Sequence, residues 1–584
     1  MSTIDPEAPN VLHTLGRHAS WSRANEKGVF PGVSTPLNWS IWGEIGERAV
    51  RQGACDLGLL DEHELEPPAS IDDWGWSIFY GRPAANVDTW RRMYERGLGG
   101  AGQGAATQRQ VFGGAGAGGD AGPRAGSDGG VGGGAGPVAR GPTSGSATAA
   151  DATGALDPVR RRTLIEAKRP IALATSPARL RATRREAIAW WREATRAMSG
   201  GDPGVATRCL REALALFERA DRDHIVVSLL STEAVTALSA AAEAAGRPDA
   251  ANALMVGSPG MEEFETAVAV WDLSRGRIDL DAFLAEHGFH GAMEGEIASR
   301  SWREDPAPIR TLVGRYAKLA EDADPRRREA HAVEARGRLE AELLANVPSD
   351  ERGALSATFA LAATCLPMRE AGRATLTIAL DAMRAAARVV GRAWAASGTL
   401  ATADDVFLAT RFELLAPPAD LRARVEARRA LVAEYERFDL PETWQGMPEK
   451  VARVRLPADS QSGDQAEERG ASLAVGSRLE GLGASAGLHE GIARVVLDPS
   501  DPALEFEAGD VLVAPATDPS WAPLFLVAGA VVIDTGSNIS HAAVVAREMG
   551  IPAVVAVREA SLRIRGGQRL RVDGKTGIVE MIGD

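Results

Sequence analysis

Between residues 156 and 456, apolar side chains recur at three- and four-residue spacing among Arg and Glu, as in ATRREAIAWWREATRAM, PGVATRCLREALALFERA and GRATLTIALDAMRAAARVVGRAWAA. That period predicts amphipathic helices that bury one face, and GDP and GRPDA supply stops and starts between them. Two-residue alternation is scarce, so 156–456 reads as a mainly α-helical domain. From Ala474 the pattern changes to short β-branched runs: IARVVL, DVLVAP, GAVVIDT, PAVVAV, RLRVDG and GIVEMI, parted by Gly, Pro and Asp turns. Runs of this length predict buried strands. With one helical segment, HAAVVAREMG, they make 474–584 a compact mixed α/β domain.

Two stretches break the pattern. About a third of Gly97–Gly154 is glycine, and it lacks the apolar residues that offset ordering entropy. Residues 97–155 therefore read as a disordered insertion, and the G-x-G-x-x-G match at Gly114, Gly116 and Gly119 has neither the strand before it nor the helix after it that a dinucleotide site needs. Residues 457–473, polar and rich in turn formers, read as a flexible tether. As a coil it would span roughly 20–25 Å. The first 96 residues hold Trp21, Trp39, Trp42, Trp74, Trp76 and Trp90. Such a density of rings suits either a small aromatic core or a ligand-facing wall, of which the core is the simpler reading.

The length, 584 residues, predicts two to four domains. A net charge of -14 argues against a nucleic-acid or anionic-membrane binder. Cys55, Cys209 and Cys365 are too few and too scattered for a disulfide framework or a four-thiolate zinc site. No signal pattern opens the chain and no apolar run reaches membrane-spanning length, so the expectation is a soluble, cytoplasmic, multidomain protein.

The candidate chemistry lies in TDPSWAPLFLVAGAVVIDTGSNISHAAVVAREMGIPAVVAV, Thr517–Val557. A buried strand leads through a tight polar turn into a short helix that begins at His541, with Ser540 as N-cap, Gly550 as the left-handed residue past its end and Pro552 as the stop. The first turn of a helix favours a bound anion. A neutral imidazole, with an ordinary pKa of about 6.5, is a competent nucleophile near neutrality. The small residues around it, among them Gly536, Ser537 and Ala542, leave room for a bulky phosphoryl donor. The bland alternative is a structural histidine capping its own helix.

This segment resembles the swivelling phosphohistidine domain of phosphoenolpyruvate synthase, pyruvate phosphate dikinase and rifampicin phosphotransferase. Thr517, Pro519, Trp521, Pro523, Leu524, Phe525, Asp534, Gly536, Ser540, His541, Arg547, Glu548, Gly550 and Pro552 match its pattern. The resemblance implies that His541 is phosphorylated, with Ser540, Gly536, Thr517 and Arg547 supporting it. Ser537 and Ala556 stand where glycines are usual, which predicts altered turn geometry. Upstream, WSRANEKGVFPGVSTPLNWSIW resembles the opening of the rifampicin phosphotransferase substrate domain through Asn25, Pro31, Gly32, Thr35, Pro36 and Leu37. Gly28 occupies the place of that family's glutamate, and the nearest carboxylate is Glu26.

The family's ATP-grasp domain has no counterpart among these residues, so the resemblance implies a separate ATP-grasp partner that binds ATP and magnesium. His541 would take a phosphoryl group there, swing on the tether, and pass it to a hydroxyl of a small, aromatic or bulky molecule. His287, His290 and Glu296, in HGFHGAMEGE, are candidates for the substrate side, with Glu294 nearby; their plainer reading is a hydrogen-bonded helix–loop junction. A zinc site from His287, His290 and one Glu ranks below that, and no metal is assigned. Arg369 and Glu370 suit a buried structural pair as well as they suit substrate contacts. Ser485 matches the hydrolase G-x-S-x-G elbow, but a turn and strand follow it where that elbow needs a helix. The alternative function is a non-catalytic phosphocarrier or interaction protein.

Overall fold

The computed structural model describes residues 18–24, 26–68, 70–98, 158–247, 250–258, 260–452, 473–499, 501, 504–537 and 540–583. The insertion read at 97–155 and the tether read at 457–473 lie outside these, their edges apart, as does Asn25.

The N-terminal part supplies β1 (Ser20–Ser22), α1 (Pro36–Asp56), β2 (Trp76–Phe79), β3 (Arg82–Asn86) and α2 (Val87–Leu98). Thr35 caps α1 by accepting the Asn38 N–H, with Pro36 in the first turn. The helical part is built on three long helices: α3 (Pro158–Met198), α4 (Pro203–Ala244) and α5 (Arg352–Ala396). Their apolar faces meet in one core. Leu210, Ala213, Phe217 and Ala220 of α4 share it with Ile378, Ala382, Met383 and Ala386 of α5 and with Trp191 of α3. Among the described residues, one helix, α4, is long and apolar enough to cross a membrane. This corrects the reading that no run reaches that length; its apolar residues are buried against α5.

A strand, β4 (Thr443–Gln445), pairs antiparallel with β1, which pairs with β3 and through it with β2. The end of the helical part thus closes a four-stranded sheet with the N-terminal part. Asp381 ties the core to the loop that follows it in space. It accepts from Trp191 Nε1 at 2.8 Å, Arg303 Nε at 2.9 Å and Arg384 Nη1 at 3.0 Å. Arg384 in turn donates to the carbonyls of Glu296 and Ile297 at 3.1 Å each. Both oxygens of Asp381 and all three nitrogens of the Arg384 guanidinium thus have partners, as burial of charge requires.

The C-terminal domain has an eight-stranded sheet. Its strands are β5 (Arg478–Glu480), β6 (Leu482–Ser485), β7 (Leu488–Val495), β8 (Val511–Ala514), β9 (Ala530–Ile533), β10 (Ala553–Val555), β11 (Arg569–Asp573) and β12 (Ile578–Gly583). The order is β5-β12-β11-β7-β8-β9-β10-β6. Strands β7 to β10 run parallel, and the flanking strands are antiparallel. Every residue of β8, β9 and β10 is buried, which is why they read as unbroken apolar runs.

The two parts share one apolar core. Trp271 of the helix Glu262–Ser274, Phe283, and Tyr316 join Phe525, Leu524, Val545 and Met549 of the C-terminal domain. Tyr316 Oη donates to the Pro523 carbonyl at 2.8 Å.

Candidate active site at the domain junction

His541 opens the helix His541–Glu548, which follows β9 and a turn. Ser540 is at the N-cap position with extended backbone, but its hydroxyl donates to the Ser537 carbonyl at 2.8 Å in place of capping the helix. The hydroxyl therefore closes the turn, and the Ser540 N–H donates to the same carbonyl at 3.0 Å. Gly536 has φ 125, and a Cβ there would meet Ser540 Oγ at 2.8 Å, so only glycine fits this bend. Gly550 takes the left-handed conformation, φ 64, past the helix end. Ala556 takes it too, at φ 57. Ala556 is thus strained into a conformation that suits glycine.

The imidazole of His541 is half-buried. Its Nδ1 lies 3.2 Å from Thr517 Oγ1, and the Phe525 ring stands edge-on at 6.3 Å. Burial pushes its pKa well below the ordinary value; the charges of Arg373 and Arg369 push the same way and Glu370 opposes them. The ring is therefore neutral near pH 7, the form in which a nitrogen lone pair can attack.

A cavity of about 320 Å³ lies at the junction, and His541, Thr517, Gly536 and Ser540 all line it. Its opposite wall is aromatic: Trp39, Trp42, Trp76, Trp90, Tyr94 and Phe30. The N-terminal tryptophans serve both as core and as cavity wall, and Trp39 and Trp90 do both. Trp21 and Trp74 are core, while Trp42 and Trp76 are only partly buried and face the cavity. Glu26 also lines it, and Trp76 Nε1 donates to its Oε1 at 3.4 Å.

The side walls are two polar stripes on otherwise apolar helices. On α4 they are Asp221, His224, Ser228 and Thr232; on α5 they are Arg369, Glu370, Arg373 and Thr377. Arg373 pairs with Glu370 at 2.7 Å and Arg369 lies 3.6 Å from it, so this group is both an ion cluster and a cavity wall. Burial, with help from Arg369, pushes His224 down to about 4. Burial alone pushes Asp221 up to about 8. Asp518, next to Thr517, is pushed up to about 7 by burial and then by the charge of Glu294, against hydrogen bonds from Ser520 and Met293.

The other residues singled out from the sequence stand elsewhere. Arg547 is buried behind the helix, donating Nε to the Ala484 carbonyl at 2.8 Å, and is absent from the cavity wall. Glu296 straps its loop to the start of α1, accepting from Thr35 Oγ1 at 2.6 Å and Ser34 Oγ at 3.2 Å. His290 Nδ1 lies 2.8 Å from Glu294 Oε1, and its Nε2 lies 3.7 Å from Glu262 Oε1. Burial works to lower His290, but the charge of Glu294, the hydrogen bond to it and the charge of Glu262 outweigh it and raise it to about 9. His287 Nδ1 lies 3.4 Å from Thr266 Oγ1. Glu262, His287 and His290 bring their ligand atoms within 4.8 Å of one another, yet Glu262 already pairs with Arg184. Of this loop only Glu294 and Gly295 reach the cavity.

Sequence reasoning passed over Asp221, His224, Arg373 and Asp518. For the α4 pair a signal existed: Asp221, His224, Ser228 and Thr232 recur at three- and four-residue spacing in FERADRDHIVVSLLSTEAV, a polar line where a buried helix should be apolar.

Two family descriptions match the chain. Residues 506–577 match "PEP-utilising enzyme, mobile domain", and residues 230–370 match "Rifampicin phosphotransferase fourth domain". Rifampicin phosphotransferase of Streptomyces sviceus is 30% identical over 311 residues, covering 52% of this chain and 34% of that protein. Prodigiosin synthesizing transferase PigC of Serratia marcescens is 31% identical over 301 residues, 52% of this chain and 33% of its own length. Rifampicin phosphotransferase of Bacillus subtilis is 47% identical over 103 residues, 18% of this chain and 12% of that protein. The chain spans about a third of the length of the first two. The match to the mobile domain thus spans His541, and the match to the fourth domain takes in Thr232, Glu294, Gly295, Arg369 and Glu370 of the cavity wall, so the chain is similar to the mobile domain of the phosphoenolpyruvate-utilising enzymes and to the fourth domain of the rifampicin phosphotransferases.

Proposed function

We propose that this chain is a phosphotransferase, or the transfer subunit of one, that carries a phosphoryl group on His541 to a hydroxyl of a small, bulky or aromatic molecule. The observation that carries this reading is that His541 lines the same cavity as a wall of tryptophans. A cavity of about 320 Å³ suits a small-molecule acceptor; a pure phosphocarrier has no use for one.

In the first half-reaction an imidazole nitrogen attacks the phosphorus of a nucleotide held by an ATP-grasp partner, where ATP and magnesium bind. A P–O bond breaks and an N–P bond forms. Thr517 holds Nδ1, so Nε2, on the far side of the ring, is the nitrogen proposed to carry the phosphoryl group. In the second half-reaction the acceptor oxygen attacks phosphorus, the N–P bond breaks, and the hydroxyl proton leaves to a base. Asp518, close to neutrality and on the cavity wall, is the group proposed to take it. His541 faces the acceptor cavity in the observed arrangement, so loading requires the C-terminal domain to move away and return.

The test is to incubate the chain with ATP, magnesium and a candidate ATP-grasp protein and to assay acid-labile phosphate. Label is expected on the wild type and none on His541→Ala; equal labelling of both would overturn the assignment.

A further inference from the structure

Asp221 is 3% exposed, its carboxyl lines the cavity, and among the described residues none donates a hydrogen bond to it or pairs with it. An unpartnered buried carboxyl is costly unless something else meets it. Its surroundings are specific. Phe217, one turn earlier on α4, meets Trp42 in a T-shaped contact at 4.9 Å, and Phe30 meets the same indole at 5.5 Å. Gly46, one turn after Trp42 on α1, also lines the cavity, and a Cβ there would be in ordinary contact with Oδ2 at 3.9 Å.

The wall as a whole is acidic. Glu26, Asp221, Glu294, Glu370 and Asp518 line it against Arg369 and Arg373. Glu294 has His290, and Glu370 has both arginines. Asp221 is left over. A carboxyl and aromatic faces in one dry space are the elements that recognise an organic cation, through an ion pair and the negative face of the indole ring.

We propose that the acceptor carries a protonated amine, that Asp221 is its counter-ion with Trp42 beside it, and that a hydroxyl of the same molecule meets His541. The amine supplies the donor that the carboxyl lacks. This rests on the phosphotransferase reading for the hydroxyl, but not for the amine.

The experiment measures binding with no phosphoryl donor present, by quenching of tryptophan fluorescence in the full chain. The probes are two matched pairs: tyramine against tyrosol, and propranolol against the diol in which a hydroxyl replaces its amine. Wild-type protein is expected to bind the amine of at least one pair tenfold or more tighter than its alcohol. In Asp221→Asn the two members should bind within about twofold. In Asp221→Leu the amine preference should vanish while the melting temperature of the ligand-free protein rises, because a partnerless acid has been removed. A structural acid would give the opposite shift. Equal binding of amine and alcohol, no binding of either amine, a preference that survives Asp221→Asn, or a lower melting temperature in Asp221→Leu would each overturn the proposal. Labelling of His541 without amine preference would sink the amine alone; amine preference in a chain that never labels would sink the transfer alone.

Discussion

Asp518 of the C-terminal domain accepts the backbone N–H of Met293, in the helical part, at 2.8 Å through Oδ2. The residue beside the histidine's hydrogen-bond partner is thereby fastened to the loop that brings Glu294 and Gly295 to the cavity. Met293 itself has φ 55, a conformation an unbranched residue takes only when its surroundings hold it there. In the proposed cycle Asp518 also receives the acceptor proton. Asp518→Asn should lower transfer from phosphohistidine to acceptor by about a hundredfold or more, with His541 labelling by the partner unchanged. Single-turnover chase of labelled protein separates the two, and an equal fall in both would remove Asp518 from the second step.

Thr517→Val keeps the shape of the side chain and removes the hydroxyl 3.2 Å from His541 Nδ1. A hydrogen bond of about 1 kcal/mol is lost, so phosphohistidine formation should slow by roughly fivefold, with thermal stability shifted little. Quench-flow labelling measures it; an unchanged rate would mean the ring needs no help from Thr517.

Ala556 is strained into a left-handed backbone at φ 57. Ala556→Gly should therefore stabilise the C-terminal domain by about 0.5–1 kcal/mol, the relief of αL strain less the added chain entropy. Denaturant unfolding of wild type and variant provides the comparison, and a destabilised variant would contradict the strain.

The pH dependence of stability between 6.5 and 9 follows mainly from three raised groups, with Glu548, pushed up to about 7 by burial, adding to the fall at its lower end. His290, raised from 6.5 to about 9, stabilises fully below pH 6.5, and that contribution is lost as pH rises through 9. Asp221 and Asp518, raised from 3.8 to about 8 and about 7, also bind protons more tightly folded than unfolded. Stability then falls as pH rises through their folded values. His541, His224 and His287 are lowered from 6.5, so their effect is constant above it. The melting temperature should drop from pH 6.5 to 9, and Asp221→Asn should flatten the part below 8. Calorimetry across that range tests it; a rising melting temperature would mean these groups are not raised.

The parts that could be read from the chain alone were those whose cause is local. Strands β8, β9 and β10 announced themselves because burial on both faces demands unbroken apolar runs, and the His541 helix because its turn, start and end lie within seventeen residues, Asp534 to Gly550. The small sheet of β1 and β4 left no trace, since three-residue strands are too short for alternation and their pairing joins Trp21 to Trp444. Ser540 was placed at the right position with the wrong bond, because N-cap chemistry was assumed where the Ser537 carbonyl competes for the hydroxyl. The cavity needed contacts between residues far apart in the chain, Trp42 beside Phe217 and Arg373 beside His541, and no local pattern encodes those. His287, His290 and Glu296 drew notice as a cluster of reactive side chains, and the fold spends them on holding a loop.

Nine of the residues around the cavity, Ala516 to Asp518, Ile533, Thr535, Gly536 and Ser540 to Ala542, belong to the C-terminal domain. The pocket is whole only while the two halves touch, so occupancy and docking are thermodynamically reciprocal. A molecule that touches both walls must tighten the grip of one half on the other by the same factor by which that grip tightens its own binding.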